Sequence, residues 1–151
     1  MEDKQAELDA LNIRAKNTLM AVLSIEFIDI GEDYLVAKMP VNAIVHQPIG
    51  ILHGGASAVL GESVASSLSN WVVKPLGKIA VGVNIQANHL RSIRSGEVTC
   101  KAVLKRKGRT MHYTEMEVRD ENQRLICAMS MNNMVLNGPP KTADSLNIPV
   151  E

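Results

Sequence analysis

Glu62 is a single carboxylate in a long run of small and apolar residues. It stands eight residues after Gly54 in the stretch HQPIGILHGGASAVLGE, residues 46–62. The pair Gly54-Gly55 permits backbone geometry closed to other residues and lets another group approach the main chain. If a helix starts there, its first N–H groups have no internal partners and carry the positive end of the helix dipole. Such donors suit a carbonyl oxygen that gains negative charge under attack. A glycine pair that merely allows a tight turn fits the same residues, and on spacing alone it is the simpler reading. Ala58 and Ser66 lie one helical turn either side of Glu62, so small residues flank the carboxylate and leave room for a substrate, a water or another chain. An ordinary solvent-exposed glutamate fits the same position, but the segment has almost no solvated face, which favours a partly buried Glu62, and a carboxylate withdrawn from water is a stronger base. Gln47 and His53 are the polar groups on the loop leading in, and His53 equally suits a hydrogen bond to backbone at the helix start. His46, His53 and Glu62 lack metal-ligand spacing.

These groups need elements to position them. Ala56, Leu60, Val64, Leu68 and Val72 recur every fourth residue, which predicts a helix from Gly55 to about Val73, closed by Pro75 and Gly77. Glu62 is two residues from Leu60, about 200° round, and so faces away from that stripe. Upstream, residues 3 to 15 carry Ala6, Leu8, Leu11 and Ala15 at helical spacing, and SIEFIDI and YLVAKMPV predict a hairpin across Gly31-Glu32-Asp33. Downstream, KIAVGVNIQANH, EVTCKAVLK, TMHYTEMEVRD and RLICAMSMNNMVL alternate with period two. In the first of these Ile79, Val81, Val83, Ile85 and Ala87 share a face. The four read as consecutive antiparallel strands joined by tight turns. The expected fold is α+β, one curved antiparallel sheet wrapped on one long central helix. Residues 1–16 form an N-terminal helical segment, 17–136 the single domain, and 137–151, with three of the six prolines, an extended or disordered tail.

Bulk composition bounds the function. The 151 residues carry no net charge, which gives no general attraction to nucleic acid or an anionic membrane. Apolar residues make up 46% of the chain but aromatics only 3%, so the core is aliphatic with Ala and Met. Cys100 and Cys127 sit in strand-like stretches and read as buried thiols. The start MEDKQAELDALNIRAK is charged and helical rather than a signal peptide, and no apolar run reaches the ~20 residues of a membrane span. The expected location is the cytoplasm.

The block HQPxGxLHGG, followed by Glu eight residues after its first glycine of the pair, resembles the signature of hotdog-fold acyl-CoA thioesterases. The similar subgroup is the PaaI-like one, with the phenylacetate-pathway, enterobactin-proofreading and dihydroxynaphthoyl-CoA enzymes. The resemblance runs from about Asn17 to Leu136. It implies hydrolysis of an aryl- or medium-chain acyl-CoA, with Glu62 as nucleophile or general base and the Gly54 N–H polarising the thioester carbonyl. Gln47 would orient the thioester or a water, His53 assist at the acyl group, and Ser66 place the attacking water. It also implies a homodimer with shared sites, Glu62 of one subunit facing the Gln47 loop of the other, paired into a homotetramer. Coenzyme A enters only as part of the substrate, with no metal or organic cofactor.

Seven basic residues and one acidic one lie between His89 and Arg109. The turn KRKGR offers Arg106, Lys107 and Arg109 to the phosphates of coenzyme A, with His89 and Arg91 at a strand end as further candidates. A solvated basic turn explains any one of them equally well. No stacking aromatics accompany the cluster, which weakens a nucleic-acid reading. Trp71 and the methionines of the last strand read as packing. Two other functions remain open. One is a non-catalytic acyl-CoA-binding domain, which has no reason to keep a base at position 62. The other is a hotdog dehydratase or hydratase, whose His/Asp or His/Glu arrangement is not found.

Overall fold

The computed structural model describes residues 4–138. Most of the tail expected from residue 137 onward lies outside the described residues. Helix α1 spans Lys4–Ala15, and a short α2, Leu19–Val22, follows it. The hairpin pairs β1 (Glu26–Ile30) with β2 (Tyr34–Val41). The long helix α3 covers Gly54–Val73 and ends through a 3-10 turn at Gly77, whose φ of 63° is left-handed. Four strands complete the chain: β3 (Lys78–His89), β4 (Gly96–Lys107), β5 (Met111–Asp120) and β6 (Leu125–Asn137).

All six strands form one antiparallel sheet in the order β1-β2-β4-β5-β6-β3. The four late strands are therefore not consecutive neighbours as the alternation suggested. β3 skips β4 and pairs along its whole length with β6, because residues 90–95 cross to the far side before β4 begins. Period two reports which residues share a face and says nothing about which strand lies beside which. A second departure occurs inside β3. The register shifts between Gly82 and Asn84, and this bulge splits the face expected to be shared by Ile79, Val81, Val83, Ile85 and Ala87. Val81 and Val83 are exposed, whereas Ile85 and Ala87 pack against the core.

The sheet curls around α3. Leu60, Val64 and Leu68 of the predicted stripe are fully buried, with Ala56 and Val72 nearly so, against Leu35, Met39, Val98, Cys100, Met116, Val118 and Met131. Gly61 lets the helix approach closely, since a Cβ there would collide with Met129. Both cysteines are buried free thiols, and burial raises the pKa of each. α1 is held on β1 by polar contacts. Asn12 donates to the Phe27 carbonyl at 2.9 Å and accepts the Phe27 N–H at 2.8 Å, and Lys4 pairs with Asp29. Asn12 thereby caps one edge of the sheet.

Candidate active site

On the glycine-rich entry His53 is fixed through its side chain and Gln47 through its backbone. His53 is the N-cap of α3: its Nδ1 accepts the Gly55 N–H at 2.8 Å, which places the ring proton on Nε2. Its carbonyl accepts from Ala56 and Ser57. The Gly54 N–H has no partner among the described residues and remains an open donor at the positive helix end. The imidazole of His89 lies over Gly54, with Nε2 2.7 Å from the place a Cβ would take. Glycine leaves room there for that close approach; a side chain would displace the His89 ring.

The entry loop is tied down from two sides. The Gln47 N–H bonds to the Ile51 carbonyl, and Gly50, at φ 77°, closes the turn onto the Gln47 carbonyl. His46 Nε2 donates to the Arg94 carbonyl at 2.7 Å, and the Arg94 guanidinium reaches back to the carbonyls of Ile49 and Gly50. A cleft of about 370 Å³ results, lined by Gln47, Gly54, Ser57, His89, Arg91 and Ile126 among others. Gln47, Gly54, His89 and Arg91 thus share one cavity.

Glu62 sits elsewhere on α3, and its side chain is exposed in the single chain. The partial burial expected from the sequence is absent there, because the carboxylate lies beside β3, the edge strand of the sheet. Its carboxylate rests against β3 at the bulge. A Cβ on Gly82 would lie 2.9 Å from Glu62 Oε1 and 2.6 Å from Met131 Cε. Gly82 therefore makes the seat for the carboxylate. One turn further, Ser66 Oγ accepts from Asn133 Nδ2 at 3.2 Å, and Asn133 Oδ1 accepts from Ser69 at 3.4 Å. Asn133 has no solvent exposure, and in the sheet it pairs directly with Gly82. Asn70 bonds to the Ser66 carbonyl and to both the N–H and C=O of Ala80, which locks this face of α3 onto β3. Gly82 and Asn133 were not singled out from sequence. A lone glycine inside a strand pattern is the signal that could have found the first; Asn133 carries none.

The basic turn is remote from Gly54 within one chain. Arg106 and Arg109 line a separate cavity of about 340 Å³ with Thr110, Tyr113 and Asn132. Lys107 is exposed and pairs in register with His112. This turn lies at the sheet end where Lys78 meets Asn137, whereas His89 meets Cys127 at the opposite end.

A curved antiparallel sheet around a helix that begins HGG and carries a carboxylate two turns along defines a hotdog-fold thioester hydrolase. Residues 49–127 match the thioesterase superfamily, and the chain belongs to that family. It is 38% identical over 135 residues to the 1,4-dihydroxy-2-naphthoyl-CoA hydrolase of Escherichia coli, a match covering 88% of this chain and 97% of that protein. It is 37% identical over 133 residues to the proofreading thioesterase EntH of Klebsiella pneumoniae, covering 88% and 96%. The crystal structure of a thioesterase from Haemophilus influenzae superposes with a TM-score of 0.83 at 38% identity, covering 86% of this chain and 90% of that one.

Proposed function

We propose that the protein hydrolyses acyl-CoA thioesters at sites built jointly by two chains. Glu62 and Ser66 come from one subunit, and Gln47, His53 and the Gly54 N–H from the other. The observation that carries this reading is a separation. Glu62 lies eight residues beyond Gly54 on one straight helix, about 12 Å along its axis. Reacting atoms must approach to about 3–3.5 Å, so a carbonyl held on Gly54 is out of reach of the Glu62 of the same chain.

A second copy closes that gap. One sheet edge is capped by Asn12, while the other is the twelve-residue β3 with Val81 and Val83 exposed. Pairing two β3 edges about a two-fold axis is an isologous contact that runs the strands antiparallel. It sets the His89 end of one strand beside the Lys78 end of the other. Gly54, which lies beneath His89, then faces the Glu62–Ser66 surface of its neighbour. The same reversal brings the basic turn of one chain to the Gly54 end of the other, where Arg106, Lys107 and Arg109 can meet the coenzyme A phosphates together with His89 and Arg91. Two such dimers make the homotetramer that the family resemblance implies.

The chemistry follows from the parts. Ser66 receives the Asn133 N–H, so its own hydroxyl proton is free to hold a water near Glu62. Glu62 takes a proton from that water while the oxygen attacks the thioester carbon. The carbonyl oxygen becomes an oxyanion, gripped by the Gly54 N–H and the helix dipole. Collapse expels the coenzyme A thiolate, which recovers the proton from Glu62. The product is a free acid plus coenzyme A, with no metal or organic cofactor in the route. The names of the relatives, a naphthoyl-CoA hydrolase and a proofreading thioesterase, support this substrate class.

Thiol release from benzoyl-, phenylacetyl-, naphthoyl- and straight-chain CoA thioesters tests the proposal. Glu62→Gln is expected to lower kcat by about a hundredfold or more at unchanged thermal stability. Wild-type protein that binds these thioesters without releasing thiol would instead identify a binding domain.

A further inference from the structure

Beyond Ser66 a larger cavity opens, a groove of about 460 Å³ between α1, α3 and the start of β3. Its floor is apolar: Leu11, Met20, Phe27, Trp71 and Ile79. Phe27 and Trp71 are the only Phe and Trp of the chain. α1 is docked over the sheet by Asn12 and Lys4 and by Leu8, which enters the core with Leu11 packed beside it; the rest of that helix stands clear, and the groove opens beneath it. Its charge is lopsided. Arg14, Lys74 and Lys78 line it against the lone carboxylate of Glu7, and none of the four has an ion-pair partner among the described residues. Five other cations, Lys4, Lys38, Lys105, Arg119 and Arg124, are all paired with carboxylates.

We propose that this groove receives the acyl group and selects acyl chains that end in a carboxylate. The inference rests on the function proposed above, and it adds the chemistry of the acyl terminus. Ser66, Asn70 and Lys74 follow Glu62 at four-residue intervals, so the groove leads away from the reacting centre along one helix face at about 6 Å per interval. An apolar acyl body is desolvated over Trp71, Phe27 and Leu11. A terminal carboxylate then arrives among Arg14, Lys74 and Lys78. Arg14 and Lys74 are exposed, so each contact is modest and screened by salt. An uncharged terminus leaves those cations with water alone.

The experiment compares octanoyl-CoA with suberoyl-CoA, which differ only in the terminal carboxylate. Wild-type protein is expected to favour suberoyl-CoA in kcat/KM by about fivefold or more, a ratio that shrinks as sodium chloride is added. The double variant Arg14→Ala/Lys74→Ala brings the ratio toward one. Lys16→Gln, a charge removed outside the groove, leaves it in place. A wild-type ratio at or below one, or one unmoved by the double variant, overturns the proposal. If both thioesters are cleaved in a Glu62-dependent way without discrimination, only the groove assignment falls. If neither is cleaved while an aryl-CoA of the wider panel is, the groove assignment again falls alone; if no thioester of that panel is cleaved, the hydrolase reading falls with it.

Discussion

In the proposed reaction Glu62 acts through where its carboxylate lies, which is beside Gly82. Any side chain at position 82 would press on Glu62 Oε1 and on the methyl of Met131. Gly82→Ala is therefore expected to shift the carboxylate by several tenths of an ångström and lower kcat by about tenfold or more. The residue is exposed, so the melting temperature should move little. Steady-state kinetics with a thermal melt on the same sample checks both. An unchanged kcat would mean that the carboxylate is not used in the position seen. Glu62, His53 and the glycine pair were legible in the sequence because their local spacing is their geometry. Gly82 and Asn133 were not, because their importance lies in contacts with helix residues twenty or more positions away in the chain.

At the scale of elements, α3 and the sheet meet along a polar seam as well as an apolar one. Ser66, Asn133 and Ser69 are linked by hydrogen bonds, and on β5 the buried atoms His112 Nδ1 and Thr114 Oγ1 have no partner among the described residues. Burial, and secondarily the nearby Lys107, hold the His112 imidazole below its ordinary value of 6.5. The sign follows directly. The unfolded chain takes up this proton near its ordinary value while the folded one resists until lower pH, so the unfolded state binds more protons in that window. His112 therefore costs stability as pH falls below about 6.5, with the loss levelling off below the folded value. His112→Leu should lose less stability than wild type between about pH 7.5 and about pH 5, measured by urea denaturation. The boundaries of α3, β2 and β3 followed from periodicity and from Pro and Gly stops. The β3–β6 pairing did not, since alternation is local and pairing is a long-range choice.

At the scale of the whole molecule, the proposal divides each site between two chains, and joint sites can be tested by mixing. Gln47→Ala and Glu62→Gln lie on different sides of the proposed seam. A heterodimer of the two carries both defects in one site and neither in the other. Refolding equal amounts together should restore about a quarter of wild-type sites from two nearly inactive parents. Gel filtration reads the assembly on the same samples, and mixing that restores nothing would return the reaction to a single chain. The sequence by itself determined the α+β class, the long helix with its apolar stripe, the HGG entry and the carboxylate facing away from the core. Those are properties of residues within a few positions of one another, where backbone geometry and side-chain period leave little choice. Only the tertiary structure decided that β3 forms the free edge, that Gly82 seats Glu62, that the Glu62 face is open in one chain, and that a cation-rimmed groove lies under α1. Each depends on which distant segments pack together, a balance of many weak contacts that no local pattern encodes.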